Sequence, residues 1–140
     1  MLKGQARKVA DRPNHEDARL LIELARWSTE SGMAEAIAFL LSEDFSPSFP
    51  AFRARHPLGS DGHNRFLAIC RYYETVGVLW KHGLLNEALL FDWLAISVVW
   101  DRVEEIVAGH REERANPFLW RNFEAAAIAQ ANEGLEGVEP

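Results

Sequence analysis

The chain has 140 residues, a formal net charge of −6 and an isoelectric point near 5.4, which is the size of one domain. Its acidic balance argues against a nucleic-acid partner, because affinity for phosphate backbones comes from clustered Lys and Arg. The single cysteine, Cys70, excludes an internal disulfide, and no apolar run approaches the roughly 20 residues that span a bilayer. We therefore expect a cytoplasmic protein with no membrane span.

Helical periodicity dominates the chain, and alternating strand patterns are absent. The sequence predicts an all-α fold, a compact bundle of five or six helices around a central antiparallel helical hairpin. Residues 1–13 carry basic side chains without a period, so we expect a disordered basic arm before a single helical domain over 14–130. Asn14 predicts an N-cap for a first helix that ends near Glu30, and a second helix follows over 33–42.

The next two helices are marked by start and stop signals. Ser46 and Pro47 are typical of an N-cap followed by the first helical residue, which predicts a short helix over 47–55. A longer helix over 63–82 is apolar around most of its circumference and is therefore expected to be central. Gly83 then predicts a left-handed residue just after the end of that helix.

Asn86 predicts the start of the second arm of the hairpin. The hairpin pairs 65–82 with 86–108, whose apolar residues alternate in steps of four and three. The low polarity of 95–99 leaves a kink open, with Ser97 as the cap of a restarted helix.

The last helix follows a charged run after Gly109. Asn116 and Pro117 repeat the cap-and-proline signal and predict a helix over 117–130. The remaining residues, 131–140, are acidic and Gly-containing, so we expect a disordered tail.

Glu74 is the sharpest candidate for chemistry. A carboxylate on a largely buried helix can serve as a general base, as in a hydrolase. The alternative is structural, with Glu74 paired to Arg71 or bonded to a backbone N–H group or a distant arginine. We favour the structural interpretation, because buried charges without a second catalytic partner usually orient helices.

Histidines and a glycine loop give weaker signals. None of the histidines has a second His or Cys at the spacing by which one element grips a metal, so no metal or cofactor is expected, although convergence in three dimensions stays open. These histidines are His15, His56, His63, His82 and His110. Ser60, Asp61 and His63 form a turn rather than a catalytic triad, since no strand-to-helix elbow precedes them.

The aromatic residues allow two interpretations. Tyr72, Tyr73, Trp80 and Trp93 could line an apolar ligand pocket or a protein interface, where Trp and Tyr are enriched. Aromatics at helical spacing more often belong to the core.

Several positions resemble those of a known family: Tyr73, Glu74, Gly77, Leu79, Gly83, Leu84, Trp100, Arg111 or Arg114, Asn116, Pro117, Trp120, Asn122, Phe123 and Glu124. In these the chain resembles a family of uncharacterised bacterial proteins classed as a domain of unknown function. The resemblance implies a small all-helical domain, which follows a membrane helix in many relatives, and it brings no known activity. We further expect a polar cluster that links three helices and sets their register, formed by Arg71, Glu74, Arg111, Arg114 and Glu124.

The function itself is not encoded in a motif. The composition and the lack of a catalytic pattern favour a non-enzymatic interaction or scaffold module whose partner is a protein, including a second copy of itself. The alternative is a small-ligand sensor with the aromatic pocket, and the third hypothesis is the hydrolase with Glu74 as base.

Overall fold

The computed structural model describes residues 12–136, and this part of the chain is helical with no strand. Its seven helices are α1 (His15–Glu30), α2 (Met33–Leu40), α3 (Phe49–Arg55), α4 (Asp61–Lys81), α5 (Glu87–Trp93), α6 (Ile96–Glu113) and α7 (Arg121–Glu136). The all-α prediction is confirmed, but the described residues form seven helices rather than five or six. Residues 1–11 of the predicted arm and 137–140 of the predicted tail lie outside this range.

Local capping signals place several helix ends correctly. The Asn14 side chain accepts a hydrogen bond from the Asp17 N–H at 2.9 Å, and the Asp17 carboxylate accepts one from the Asn14 N–H at 2.8 Å. Asn86 caps α5 by accepting from the Leu89 N–H at 3.0 Å. Gly83 follows α4 with a φ of +73°, which confirms the predicted left-handed residue.

Other helix ends differ from the prediction. Helix α3 begins at Phe49 with Ser48 as its N-cap, two residues later than predicted. Helix α6 continues through Gly109 to Glu113. Gly109 makes room for a neighbouring side chain rather than ending the helix, since a Cβ there would overlap the ring of Phe49.

The predicted second arm of the hairpin is two helices, separated at Leu94 and Ala95. Leu94 is extended, with ψ of 131°, and Ala95 is the N-cap of α6 without a side-chain bond, so Ser97 is not the cap. Gln130 from α7 spans the break. Its Nε2 donates to the carbonyls of Leu94 at 2.6 Å and Phe91 at 3.2 Å, and its Oε1 accepts from the Ser97 N–H at 2.8 Å.

The centre of the fold is the contact between α4 and α7. Helix α7 packs most extensively on α4 and next on α6, while α2 covers another side of α4. The predicted pairing of α4 with the helices that follow it is therefore not the main contact. Side chains fully buried between these helices include Phe66, Ile69, Ile106 and Phe123. No helix within residues 12–136 has the length and hydropathy to cross a membrane.

Candidate functional site

Glu74 lies on α4 and binds the first turn of α7. Its Oε1 accepts hydrogen bonds from the backbone N–H groups of Asn122 and Phe123, each at 2.9 Å, and its Oε2 accepts from Asn122 Nδ2 at 2.8 Å. The first N–H groups of a helix have no acceptor within the helix, and a negative charge is favourable there. Glu74 is therefore the N-terminal cap of α7, supplied by another helix. We call Glu74, Asn122 and Phe123 the α7 anchor.

The start of α7 depends on this anchor because local residues do not provide a cap. Trp120, the residue before α7, has a φ of +57° and an indole side chain. Asn116 instead accepts from the Phe118 N–H at 3.0 Å in a preceding turn. Helix α7 consequently begins at Arg121, four residues later than Pro117, where the sequence predicts it.

Gly77 brings the two helices close enough for the anchor to form. It lies three residues after Glu74 on α4, and a Cβ built there would be 2.6 Å from the carbonyl carbon of Asn122. Only a residue without a side chain permits that approach. The carboxylate of Glu74 can thereby reach the backbone of α7 directly.

An ion pair adjoins the anchor. Arg111 Nη2 lies 2.9 Å from Glu124 Oε1, and Arg111 Nε donates to the Leu119 carbonyl at 2.8 Å. Three members of the predicted polar cluster thus lie at the junction of α4, α6 and α7. Arg71 and Arg114 are exposed and outside these contacts. That the cluster sets helix register stays a prediction.

The two tyrosines of the predicted pocket are buried and point to different partners. The Tyr72 hydroxyl donates to the Leu24 carbonyl at 2.8 Å, and the Tyr73 ring lies 5.1 Å from that of Phe123. Burial raises the pKa of each phenol to about 12. Both side chains are thereby held by the core.

The two tryptophans of the predicted pocket are half-buried. Trp80 Nε1 donates to Glu87 Oε1 at 2.9 Å, and its ring lies 6.4 Å from that of Phe91. Trp93 is the last residue of α5 and packs against the edge of the core. A ligand role for these aromatics stays a prediction.

A second polar cluster, which sequence reasoning missed, is the histidine pair His63 and His110. The two side chains are 3% and 0% exposed, and their Nε2 atoms are 3.4 Å apart. The ring centroids are 5.6 Å apart and the ring planes differ by 15°. A ring nitrogen lies about 1.1 Å from the centre of its own ring. With the two Nε2 atoms 3.4 Å apart, the ring centres can be at most about 5.6 Å apart, and this is the observed separation. The rings therefore meet end to end, with the two Nε2 atoms facing each other.

Hydrogen bonding determines which nitrogens carry protons. His110 Nδ1 lies 2.9 Å from the Ile106 carbonyl, which can only accept, so Nδ1 carries the proton and Nε2 has a lone pair. His63 then donates from Nε2 to His110. His63 Nδ1 is left as a buried acceptor with no hydrogen-bond partner among the described residues.

Aromatic rings surround the histidine pair. Phe66 lies 5.2 Å, Phe49 5.5 Å and Trp120 5.8 Å from the His110 ring, while Phe52 lies 6.4 Å from His63. This burial lowers the pKa of both imidazoles. Neutral rings are favoured in such surroundings.

The sequence contains one signal for the histidine pair, namely the position of His110 on its helix. His110 lies three residues after Val107 and thus continues the apolar seam of Trp100, Val103 and Val107, which predicts burial. The pairing with a residue 47 positions away has no local signature. Among the described residues, no group of three or more His, Cys, Asp or Glu side chains is arranged to hold a metal ion.

A protein-family model matches most of this chain. No curated protein and no solved structure matches the chain. A family model described as "Domain of unknown function (DUF4760)" matches residues 13–129, a range that contains the α7 anchor and the histidine pair. The chain therefore belongs to the DUF4760 family.

Proposed function

We propose that the domain is a non-catalytic protein-interaction module that pairs with a second copy of itself through the exposed side of α7. The observation that carries this proposal is the exposure of large apolar side chains there: Phe118 is 65% and Ile128 51% exposed. Large apolar groups that stay in water in one chain are favourable contact points for another.

Ile128 lies in a row of exposed residues along α7. Arg121, Ala125, Ile128 and Asn132 are all exposed and are spaced by three or four residues, so they share one face of α7. The Arg121 guanidinium lies 5.5 Å from the centre of the Phe118 ring, which extends the row past the start of the helix. We call Ala125 and Ile128, together with Phe118 in the turn before the helix, the apolar face of α7.

Charge favours an antiparallel arrangement of two α7 helices. Arg121 and the positive end of the helix dipole are at the start of α7, whereas Glu133 and the negative end of the dipole are in its last turn. Opposite ends therefore attract when the copies run antiparallel. The small Ala125 would lie near the two-fold axis and allow close approach. A 16-residue helix is about 24 Å long, so the contact is at the low end of stable interfaces and the dimer should be weak.

The geometry of Glu74 supports a non-catalytic role. Its carboxylate oxygens accept three hydrogen bonds from α7. A general base needs a lone pair directed at a substrate proton. Glu74 would have to release the start of α7 to provide one.

Sedimentation velocity over a concentration series tests the proposal. From about 1 µM to about 500 µM, the wild-type chain should shift from a 15.9 kDa monomer towards a dimer. Ile128→Asp should remain monomeric, because a carboxylate in the interface is costly to desolvate. Ile22→Asp is the matched control, since Ile22 is 58% exposed on α1, and it should dimerise like wild type. A monomer at all concentrations, or equal loss in both variants, would contradict the proposal.

The sensor and hydrolase hypotheses make different predictions. A sensor would show a ligand-dependent thermal shift in a metabolite screen, and Trp80→Ala and Trp93→Ala would abolish it. A hydrolase would lose all turnover in Glu74→Gln while the protein stays folded. Either result would favour that hypothesis over the interaction module.

A further inference from the structure

Helix α3 covers the histidine pair from one side. Phe49 lies 5.5 Å from the His110 ring and Phe52 lies 6.4 Å from the His63 ring. Arg53 forms a two-point ion pair with Glu113 of α6, at 2.7 Å and 3.0 Å. The side chains of this short helix therefore close the pair off from water.

The histidine pair has no place for a further proton. A proton on His110 Nε2 would set two N–H donors against each other across 3.4 Å. A proton on His63 Nδ1 would leave a charged N–H group without an acceptor, since this buried nitrogen has no partner among the described residues. The first protonation breaks the hydrogen bond between the rings. The second keeps that bond but buries a charged ring with an unpaired N–H group, which is costly in apolar surroundings.

The charged side chains around the histidine pair do not balance the positive charge that protonation of either ring would add. Arg53 from α3 and Arg114, just after the end of α6, act against protonation. Glu113 from α6 acts in favour, but it is already bonded to Arg53. His63 is the third residue of α4, where the helix dipole is positive and opposes a further positive charge. His56, at the end of α3, lies 5.2 Å from Phe52 and is a further titratable group on this side.

Movement of α3 is the response that these contacts favour. Helix α3 has seven residues and is flanked by the non-helical stretches 41–48 and 56–60, whereas α4 and α6 are held by α7. We propose that the histidine pair is an acid-sensitive switch, which holds α3 on α4 and α6 while both rings are neutral and releases it when either ring is protonated. Release would expose Phe49 and Phe52 and let water reach the charged rings.

The direction of the pH response follows from the pKa of each ring. Burial is the largest cause that lowers the pKa of His63 and of His110 below the ordinary value of 6.5 in the folded chain, and nearby arginine charges act in the same direction. On His110 the hydrogen bond to the Ile106 carbonyl acts the other way without reversing the shift. The unfolded chain therefore binds protons more readily. The stabilisation from the neutral pair is complete above about pH 6.5 and is lost as the pH falls below that value.

A direct hydrogen bond between the two rings fits the geometry better than a bridging metal ion. Two imidazole nitrogens that hold a metal ion in line between them are about 4 Å apart, since each bond is about 2.0 Å. The observed 3.4 Å is the distance of a long N–H···N hydrogen bond.

Hydrogen exchange measured by mass spectrometry at about pH 7.5 and about pH 5.0 tests the switch. After correction for intrinsic exchange rates, peptides from α3 should lose protection at least about tenfold more than peptides from α1 at the lower pH. His82→Gln, at an exposed histidine, should behave like wild type. The double variant His63→Gln/His110→Gln should lose this pH dependence. Retained protection of α3 in wild type at the lower pH, or an equal loss in the double variant, would overturn the proposal.

Nitrogen-15 spectra of the wild-type histidine rings keep the proposal testable if the double variant does not fold. At about pH 7.5 His63 should carry its proton on Nε2 and His110 on Nδ1. Protonation of either ring should coincide with the loss of protection in α3. The opposite tautomers, or ring protonation while α3 stays protected, would overturn the switch.

Discussion

Removal of the Glu74 carboxylate should detach the start of α7 from α4. Glu74→Ala removes the acceptor of three hydrogen bonds, two of them from backbone N–H groups that have no other acceptor in the helix. Hydrogen bonds to a charged group contribute about 1.5–3 kcal/mol each, but water can reach this half-buried site and replace part of that. We expect a loss of about 3 kcal/mol in the free energy of unfolding.

Glu74→Gln should lower the free energy of unfolding by less than Glu74→Ala does. The glutamine oxygen can still accept from both backbone N–H groups, whereas its NH2 group would face the donor Nδ2 of Asn122 unless one amide turns over. Loss of the charge also removes its interaction with the helix dipole, about 0.3–1 kcal/mol. A total cost of about 1–2 kcal/mol therefore follows.

Urea unfolding followed by circular dichroism at 222 nm measures both costs. Glu23→Ala is the control, because Glu23 forms an exposed ion pair with Arg26 at 3.2 Å, which contributes at most about 1 kcal/mol. If Glu74→Ala and Glu23→Ala destabilise the chain equally, Glu74 is not the cap of α7.

Three further predictions concern glycines and tyrosines. Gly77→Ala should cost about 2–3 kcal/mol, because its methyl group meets the backbone at the start of α7, whereas Gly134→Ala, in open space on α7, should stabilise the chain by about 0.5–1 kcal/mol. If Gly77→Ala and Gly134→Ala change the free energy of unfolding by urea in the same direction, the close approach of α4 and α7 is refuted. Gly83→Val should cost about 1 kcal/mol or more because of its positive φ, and unchanged stability would show that this conformation is not required. Tyr72 and Tyr73 have pKa values of about 12 in the folded chain, so absorbance at 295 nm should show no phenolate near pH 10. Because these values exceed the unfolded value of about 10, the stabilisation from keeping the buried phenols neutral is complete below pH 10 and is lost as the pH rises towards 12. Ionisation of either tyrosine near pH 10 in the folded chain would contradict its burial.

Helix ends were predictable where a local residue determines them. Asn14 and Asn86 cap the helices that begin after them, and Gly83 ends α4 with the predicted backbone conformation. In each case the hydrogen bond or the φ angle involves residues within one turn. Sequence spacing contains that information.

Other ends depend on residues far away in the chain. The start of α7 is capped by Glu74, and the break at Leu94 is bridged by Gln130. The ring of Phe49 occupies the space beside Gly109, where the sequence predicts a helix end. Tertiary contacts overrode the local signals at these three places.

The candidate sites were also predictable only where local sequence determines them. The position of Glu74 on an apolar helix singles it out in the sequence, and of the partners considered there it bonds to backbone N–H groups, those of α7, rather than to Arg71. His110 continues a predicted apolar seam, yet only the fold shows that it meets His63. A pair of single histidines on two helices has no spacing that a sequence pattern can reveal.

Cross-linking between two copies that carry Ala125→Cys tests the proposed interface most directly. A disulfide requires Cα atoms about 4.4–6.8 Å apart, and an antiparallel pair of α7 helices centred near residue 125 meets that requirement. Ile22→Cys is an exposed control on α1, and Cys70 is buried in both variants. Under a mild oxidant, Ala125→Cys should form a covalent dimer at least about tenfold faster than Ile22→Cys. Equal rates would contradict pairing through α7.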